Sequence, residues 1–248
     1  MDLLIVNPNS TASMTRTIEA AAKTVAAPGT RIVAATSQAG PASIEGYYDE
    51  ALSVPGLLAE IREGERAGAR AAVIACFDDT GLDAARAMAR IPVLGICEAA
   101  LSLAAFVARR FTVVTTAEAA RVPVEDLVAR YGMAGRARVR AAGMSVLSLE
   151  DPASGSGELL RAEIRAALTQ DHAEAIVLGC AGMADLARRL SEEFGVPVID
   201  GVSAAVKQAE ALAALGLFTS KRGAYAAPSP KRYSGAMASF APMPAGTE

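Results

Sequence analysis

The stretch Ala-Ala-Val-Ile-Ala-Cys-Phe-Asp-Asp-Thr-Gly-Leu (71–82) decides the fold, and Glu-Ala-Ile-Val-Leu-Gly-Cys-Ala-Gly-Met (174–183) repeats its pattern. In both, an apolar run ends in a cysteine, Cys76 or Cys180, and gives way to residues that suit a helix start. A strand apolar through its length is one whose two faces are both covered by helices, as in parallel sheets. Ligands of such sheets gather beyond the carboxyl ends of the strands. Both thiols are therefore expected at a binding edge, matched across the two halves of the chain.

Working outward, apolar runs alternate with amphipathic stretches. Strands are expected at 2–6, 30–36, 71–76, 93–96, 111–116, 137–142, 175–180 and 196–199, and helices at 11–26, 54–68, 81–90, 99–110, 122–131, 158–170, 184–194 and 203–215. Strands alternating with helices of this length imply βαβ crossovers. Residues 71–101 and 174–206 share one order: cysteine, helix, then Pro-Val-Leu or Pro-Val-Ile. Leu4-Ile5-Val6-Asn7-Pro8-Asn9-Ser10 matches Thr112-Val113-Val114-Thr115-Thr116-Ala117 more faintly. Any two βαβ units look alike to some degree, which is the competing explanation. The expected fold is α/β, with two pseudo-symmetric lobes, each a mainly parallel four-stranded sheet flanked by helices, and an active site in the cleft between them. Residues 1–98 form the first lobe and 99–204 the second. Residues 205–248 form a return helix and a tail packing on the first lobe. The Pro-, Ala- and Ser-rich tail from Thr219 has no period. Tyr225 and Tyr233 are expected to dock its first part, and the rest is expected to be loose.

The 248 residues carry a net charge of −3, with Lys and Arg scattered, which gives no electrostatic footprint for nucleic acid. No apolar stretch approaches the roughly 20 residues of a membrane helix, and the first residues lack the basic region of a secretory signal. Three cysteines fit a reducing cytoplasm. No ligand cluster for a metal, no Gly-x-Gly-x-x-Gly after a strand and no phosphate loop is present. His172 is the single histidine and sits among polar residues. It reads as a surface side chain, which removes Ser-His-Asp and Cys-His schemes.

The chemistry then falls to the thiols. A thiol becomes a useful base when a helix N-terminus favours its thiolate, and both cysteines are expected to have that placement. Gly179 and Gly182 permit close backbone approach, so the N–H groups of Ala181, Gly182 and Met183 are candidate donors to a ligand oxygen. Asp78, Asp79 and Thr80 are candidate caps, and their charge opposes a thiolate at Cys76, which points to Cys180 as the resting thiolate. A lone cysteine ending a strand is more often plain core; the repeat is what argues otherwise. Cys97 reads as filler or pocket wall. Asn7-Pro8-Asn9-Ser10 is either a neutral hydrogen-bonding turn facing a ligand or an ordinary helix cap.

Taken together, Asn-Pro-Asn-Ser after the first strand, the paired cysteines, Leu-Gly-Cys-Ala-Gly-Met and Gly-Leu-Phe-Thr-Ser-Lys (216–221) resemble the Asp/Glu/hydantoin racemase superfamily, and within it the hydantoin and allantoin racemases. The likeness runs from Leu3 to about Tyr233. It implies a cofactor-independent isomerase in which Cys76 and Cys180 are the two bases, each serving one enantiomer through a planar enolate. It also implies that Asn9 and Ser10 hold the ring, that Thr115 or Thr116 faces them, and that Ala181, Gly182 and Met183 stabilise enolate charge. Amino-acid racemases of the superfamily place Asn-Thr after the first cysteine and Thr after the second. Phe77-Asp78 and Ala181-Gly182 stand there instead, which suits a neutral ring with an apolar substituent. Ile44 and Tyr47 are candidates for the substituent pocket. The resemblance further implies a homo-oligomer, to which the Ala-rich helix 99–110 offers a packing face.

Rival readings are an allantoin racemase, an Asp/Glu-type amino-acid racemase or maleate-type isomerase, and a small-molecule binding module whose cysteines are merely buried.

Overall fold

The computed structural model describes residues 1–151 and 153–242. The first lobe runs β1 (Asp2–Asn7), α1 (Ala12–Val25), β2 (Arg31–Thr36), α2 (Tyr47–Arg66), β3 (Ala71–Ile74), α3 (Leu82–Met88), β4 (Val93–Gly95) and α4 (Ile96–Val107). The second runs β5 (Phe111–Thr115), α5 (Arg121–Arg130), β6 (Ala137–Ala141), α6 (Ser156–Gln170), β7 (Ala175–Leu178), α7 (Ala187–Phe194), β8 (Val198–Asp200) and α8 (Gly201–Ala214). The sheets have the orders β2-β1-β3-β4 and β6-β5-β7-β8, and every pairing is parallel. The two halves thus share one topology, and β3 and β7, which lead to the cysteines, are interior strands with all four residues buried. Edge strands β2 and β6 are only partly covered and carry Arg31, Arg138 and Arg140.

Three apolar clusters hold the molecule. One lies outside the first sheet around Leu57, Ile61 and Ile74, and one outside the second around Leu160, Ile164 and Leu178. The largest lies between the sheets and joins Leu3, Ile5 and Val73 to Phe111, Val113 and Val177 through α4 and α8. These two helices meet through Ala100, Ala104, Ala205 and Ala209, small side chains that permit close approach. At their starts the fit is tighter still: a Cβ on Gly201 would stand 2.5 Å from the Ile96 carbonyl oxygen. The alanine face of α4 is therefore covered by α8 of the same chain. Phe106 and Val107 at the end of α4 stay exposed.

The starts of α4 and α8 are capped differently. Asp200, the N-cap of α8, accepts from the Ser203 N–H at 2.7 Å. Gly95 stands at the same place before α4 and has no side chain to offer. Asp79, from the loop after Cys76, reaches across and accepts from the N–H groups of Cys97 and Glu98, both at 2.9 Å. From the second lobe, the Tyr131 hydroxyl adds a third bond at 2.7 Å. A capping residue is thus borrowed from one βα loop for the next helix.

Some elements differ from expectation. Helix α2 starts at Tyr47, seven residues before 54, and runs through Pro55. Proline removes one helical N–H, but the residue left without its donor, Ala51, is exposed to water. Gly56 lets the same turn lie against the Ala39 carbonyl, where a Cβ would stand 2.4 Å away. The expected helix 184–194 splits into a 3-10 turn, Ala181–Leu186, and α7. The tail is held on the first lobe further than expected. Lys221 Nζ donates to the carbonyls of Arg86 and Ala87 at the end of α3, and Tyr225 OH to Asp83. The stretch expected to be loose contains a 3-10 turn, Gly235–Phe240, with Phe240 under the Arg62 guanidinium. The end of that stretch, 243–248, lies outside the described residues.

Candidate active site

The carboxyl ends of the central strands converge on one narrow cleft between the lobes. Asn7 and Asn9 enter from the end of β1, Cys76 to Asp78 from the loop after β3, Thr115 and Thr116 from the end of β5, and Gly179 to Ala181 from the loop after β7. Ile18, Ile44 and Val146 complete apolar walls. Strand register explains the convergence: Val6 pairs with Ile74 and Val114 with Leu178, so both cysteines lie two residues beyond equivalent rungs.

The asparagine turn is stiffened by its own bonds. Asn7 Nδ2 donates to Asn9 Oδ1 at 2.8 Å and to Thr15 Oγ1 at 3.1 Å, and the Thr11 N–H donates to Asn9 Oδ1 at 3.0 Å. The Asn9 oxygen is thereby engaged at the start of α1, while Asn9 Nδ2 meets only the Met14 sulfur, at 3.6 Å. Asn9 thus presents its donor end to the cleft. Across the cleft, Thr115 Oγ1 donates to the Gly179 carbonyl at 3.2 Å, which leaves its lone pairs to accept.

Neither cysteine stands at the start of a long helix. A turn with Asp79 in the left-handed region (φ 46°) separates Cys76 from α3, and the 3-10 turn follows Cys180. The expected helix-dipole lowering of the thiol pKa is therefore absent. Burial pushes both thiols up, Cys76 well above the ordinary range and Cys180 to about 11. The charge of Asp78 raises both further, and Cys180 itself adds to the rise at Cys76. Against this, the Thr80 hydroxyl and the Asp78 N–H beside Cys76, and the Gly182 N–H beside Cys180, act to lower the thiol pKa values. Both shifts favour the protonated thiols at neutral pH, whereas the sequence points to a resting thiolate at Cys180. Asp78 is 8% exposed; burial and the charges of Glu50 and Asp79 raise its pKa to about 7.

Several expected residues have other employment. Ser10 is exposed and its hydroxyl donates to the Pro41 carbonyl at 3.2 Å, away from the cleft lining. Met183 is wholly buried in the outer core and its N–H donates to the Cys180 carbonyl, so it is no free oxyanion donor. The Gly182 N–H lies beside the Cys180 sulfur and acts to lower its pKa. Tyr47 is an exposed bridge between lobes, donating to Asp126 at 2.7 Å. Cys97 is core rather than wall. Conversely, Asn7, Met14 and Val146 line the cleft without having been singled out as site residues; Asn7 alone carried a signal, its place in Asn-Pro-Asn. Glu45 also escaped notice: it accepts from the Val146 N–H at 2.9 Å and thereby ties the loop after β2 to the second lobe.

Among the described residues, no group of three or more His, Cys, Asp or Glu side chains is placed to hold a metal ion, and no helix is long and apolar enough to cross a membrane.

The family described as Asp/Glu/Hydantoin racemase matches residues 3–209. A hydantoin racemase of Rhizobium meliloti is 52% identical over 236 residues, covering 95% of this chain and 98% of that one. A hydantoin racemase of Pseudomonas sp. (strain NS671) is 50% identical over 242 residues, 97% of each chain. The solved structure of allantoin racemase from Klebsiella pneumoniae superposes with a TM-score of 0.95 at 47% identity, covering 98% of this chain and 100% of that one.

Proposed function

The chain belongs to the Asp/Glu/hydantoin racemase family and is an isomerase, and from that premise we propose that it racemises 5-monosubstituted hydantoins without a cofactor, using Cys76 and Cys180 as a two-base pair. The observation that carries this reading is the equivalence of the two thiols: each lies two residues beyond an interior strand of its own lobe, and both face one cleft. One thiolate removes the proton at C5, beside the ring carbonyl. The planar enolate then takes a proton from the opposite thiol on its other face. Reversing the roles serves the other enantiomer.

The walls suit an uncharged ring. Among the described residues no Lys or Arg lines the cleft, so none of them neutralises a carboxylate there, and Asp78 would repel one. This favours a hydantoin over an amino acid or maleate. Asn9 Nδ2 is a donor for a ring carbonyl, and Thr115 Oγ1 and the Asp78 carboxyl accept ring N–H groups. Ala181 lies next to Cys180 and, with Asn9, faces the developing enolate oxygen; Thr116 closes the second-lobe side. Ile44 and Phe77 give the 5-substituent apolar contact. Water-poor surroundings raise the thiols but also strengthen the thiolate as a base once formed. Activity should thus climb with pH, about tenfold per unit while both free thiols remain below their pKa values.

Allantoin, a hydantoin with a ureido substituent, falls in the same class, and a substrate panel separates it from aromatic and aliphatic hydantoins. The test of mechanism is optical rotation together with deuterium uptake in D2O for each enantiomer. Cys76→Ser and Cys180→Ser are each expected to abolish racemisation while leaving deuterium exchange on one enantiomer only. Full racemisation by both variants would sink the two-base assignment. Tight binding with no exchange in the wild type would favour a binding module.

A further inference from the structure

The loop after Cys76 holds a hydroxyl that the reaction as described does not use. Thr80 is wholly buried, and its Oγ1 is, among the described residues, the buried side-chain nitrogen or oxygen atom without a hydrogen-bond partner. Burying a hydroxyl without a partner is costly, and valine would fill the same space without that cost. What faces the hydroxyl is the Cys76 sulfur. A thiol is a weak acceptor and a thiolate a strong one, so the hydroxyl gains its partner when Cys76 loses its proton.

The backbone is arranged to hold that contact. The Asp79 N–H closes a turn on the Cys76 carbonyl at 3.1 Å, and the Leu82 N–H closes the next on the Asp79 carbonyl at 3.0 Å. Asp79 sits between them with positive φ, its carboxylate fixed by Cys97, Glu98 and Tyr131. The loop is thereby curled so that residue 80 returns to residue 76. Four residues after Cys180 stands Ala184, buried and without a hydroxyl. The two thiols, equivalent by topology, are therefore unequal in their donors.

We propose that Thr80 is the positioning residue of the Cys76 thiolate, its hydroxyl donating to the sulfur and opposing the neighbouring negative charge. This rests on Cys76 being one of the two proton-transfer thiols. The titratable groups facing Cys76 are Asp78, from its own loop, and Cys180, from the other lobe. Asp78 disfavours the thiolate, and Thr80 is the side chain that favours it.

The experiment is site-resolved alkylation of the full-length protein by iodoacetamide across pH 6–11, with each cysteine read by peptide mass spectrometry, alongside racemisation rates. Thr80→Val should raise the Cys76 midpoint by about one unit, which is about tenfold slower labelling at pH 8. The Cys180 profile should stay in place. Thr80→Ser should return Cys76 to within about twofold of wild type, as expected when only the hydroxyl matters. Thr80→Ala gives the same readout if valine perturbs folding. An unmoved Cys76 profile, or both thiols shifting together, would overturn the assignment. If Cys76 labelling shifts and racemisation does not, Thr80 still positions the sulfur, and it is the role of Cys76 as a base that fails.

Discussion

Gly95→Ala should damage this protein far more than the loss of one hydrogen atom suggests. An ideal Cβ at position 95 would stand 2.2 Å from the Asp79 carboxyl carbon and from Oδ1, and 2.6 Å from Oδ2. Asp79 is 5% exposed and bonded on three sides, so it has nowhere to retreat. Displacing it removes the cap of α4, worth about 1 kcal/mol. It also strands buried donors on Cys97, Glu98 and Tyr131, at about 1–3 kcal/mol in all. We expect a loss of roughly 2–4 kcal/mol from the two terms, or roughly 10 °C in Tm for a domain of this size. Urea unfolding followed by circular dichroism measures it. Gly135→Ala, where a Cβ meets nothing within 4 Å, is the control and should change little. A double-mutant cycle isolates the cause. In an Asp79→Ala background the new methyl has room, so Gly95→Ala should then cost under about 1 kcal/mol more, the coupling typical of residues in contact. Equal costs in both backgrounds, or a wild-type midpoint for Gly95→Ala alone, would refute the borrowed cap.

The remaining predictions concern Asp78 and Cys97. The folded pKa of Asp78, about 7, lies above its unfolded value, so its contribution to stability is whole below about pH 4 and is lost as pH rises to about 7. Asp78→Asn should accordingly gain on wild type between pH 4.5 and 7.5 in urea midpoints; a constant gap would mean the carboxyl is not held protonated. Cys97→Ala should cost about 1 kcal/mol for the small void and leave racemisation within twofold; its abolition would show that the reacting pair has been misassigned.

The sheets were legible in the sequence because Leu3–Val6, Ala71–Ile74 and Ala175–Leu178 are apolar without interruption, and only strands covered on both faces read that way. The start of α2 was not legible, because Pro55 imitates a helix start while the turns before it hold exposed Tyr47 and Tyr48, of which Tyr47 bonds to Asp126 of the other lobe. Within the site, strand ends told where Cys76, Cys180, Asn9 and Thr115 would lie. They did not tell which way a loop turns afterwards. Ser10 and Met183 share their neighbours' local pattern, yet one closes on Pro41 and the other enters the core. The protonation of the thiols is hidden from the sequence for a related reason. A dipole argument needs an α-helix to follow at once, and the turns at Asp79 and Ala181 deny it.

The borrowed cap has a consequence for how the two halves can diverge. In the second half, the cysteine loop and the start of the next helix are separate concerns, since Asp200 serves α8 from its own strand. In the first half, one carboxylate binds them together. A change that reshapes the Cys76 loop for a new substrate also unseats α4 at the junction of the lobes. Variation in substrate range therefore has an open route through the Cys180 side and a guarded one through the Cys76 side. The symmetry of the fold conceals a difference in mutational freedom between its two thiols.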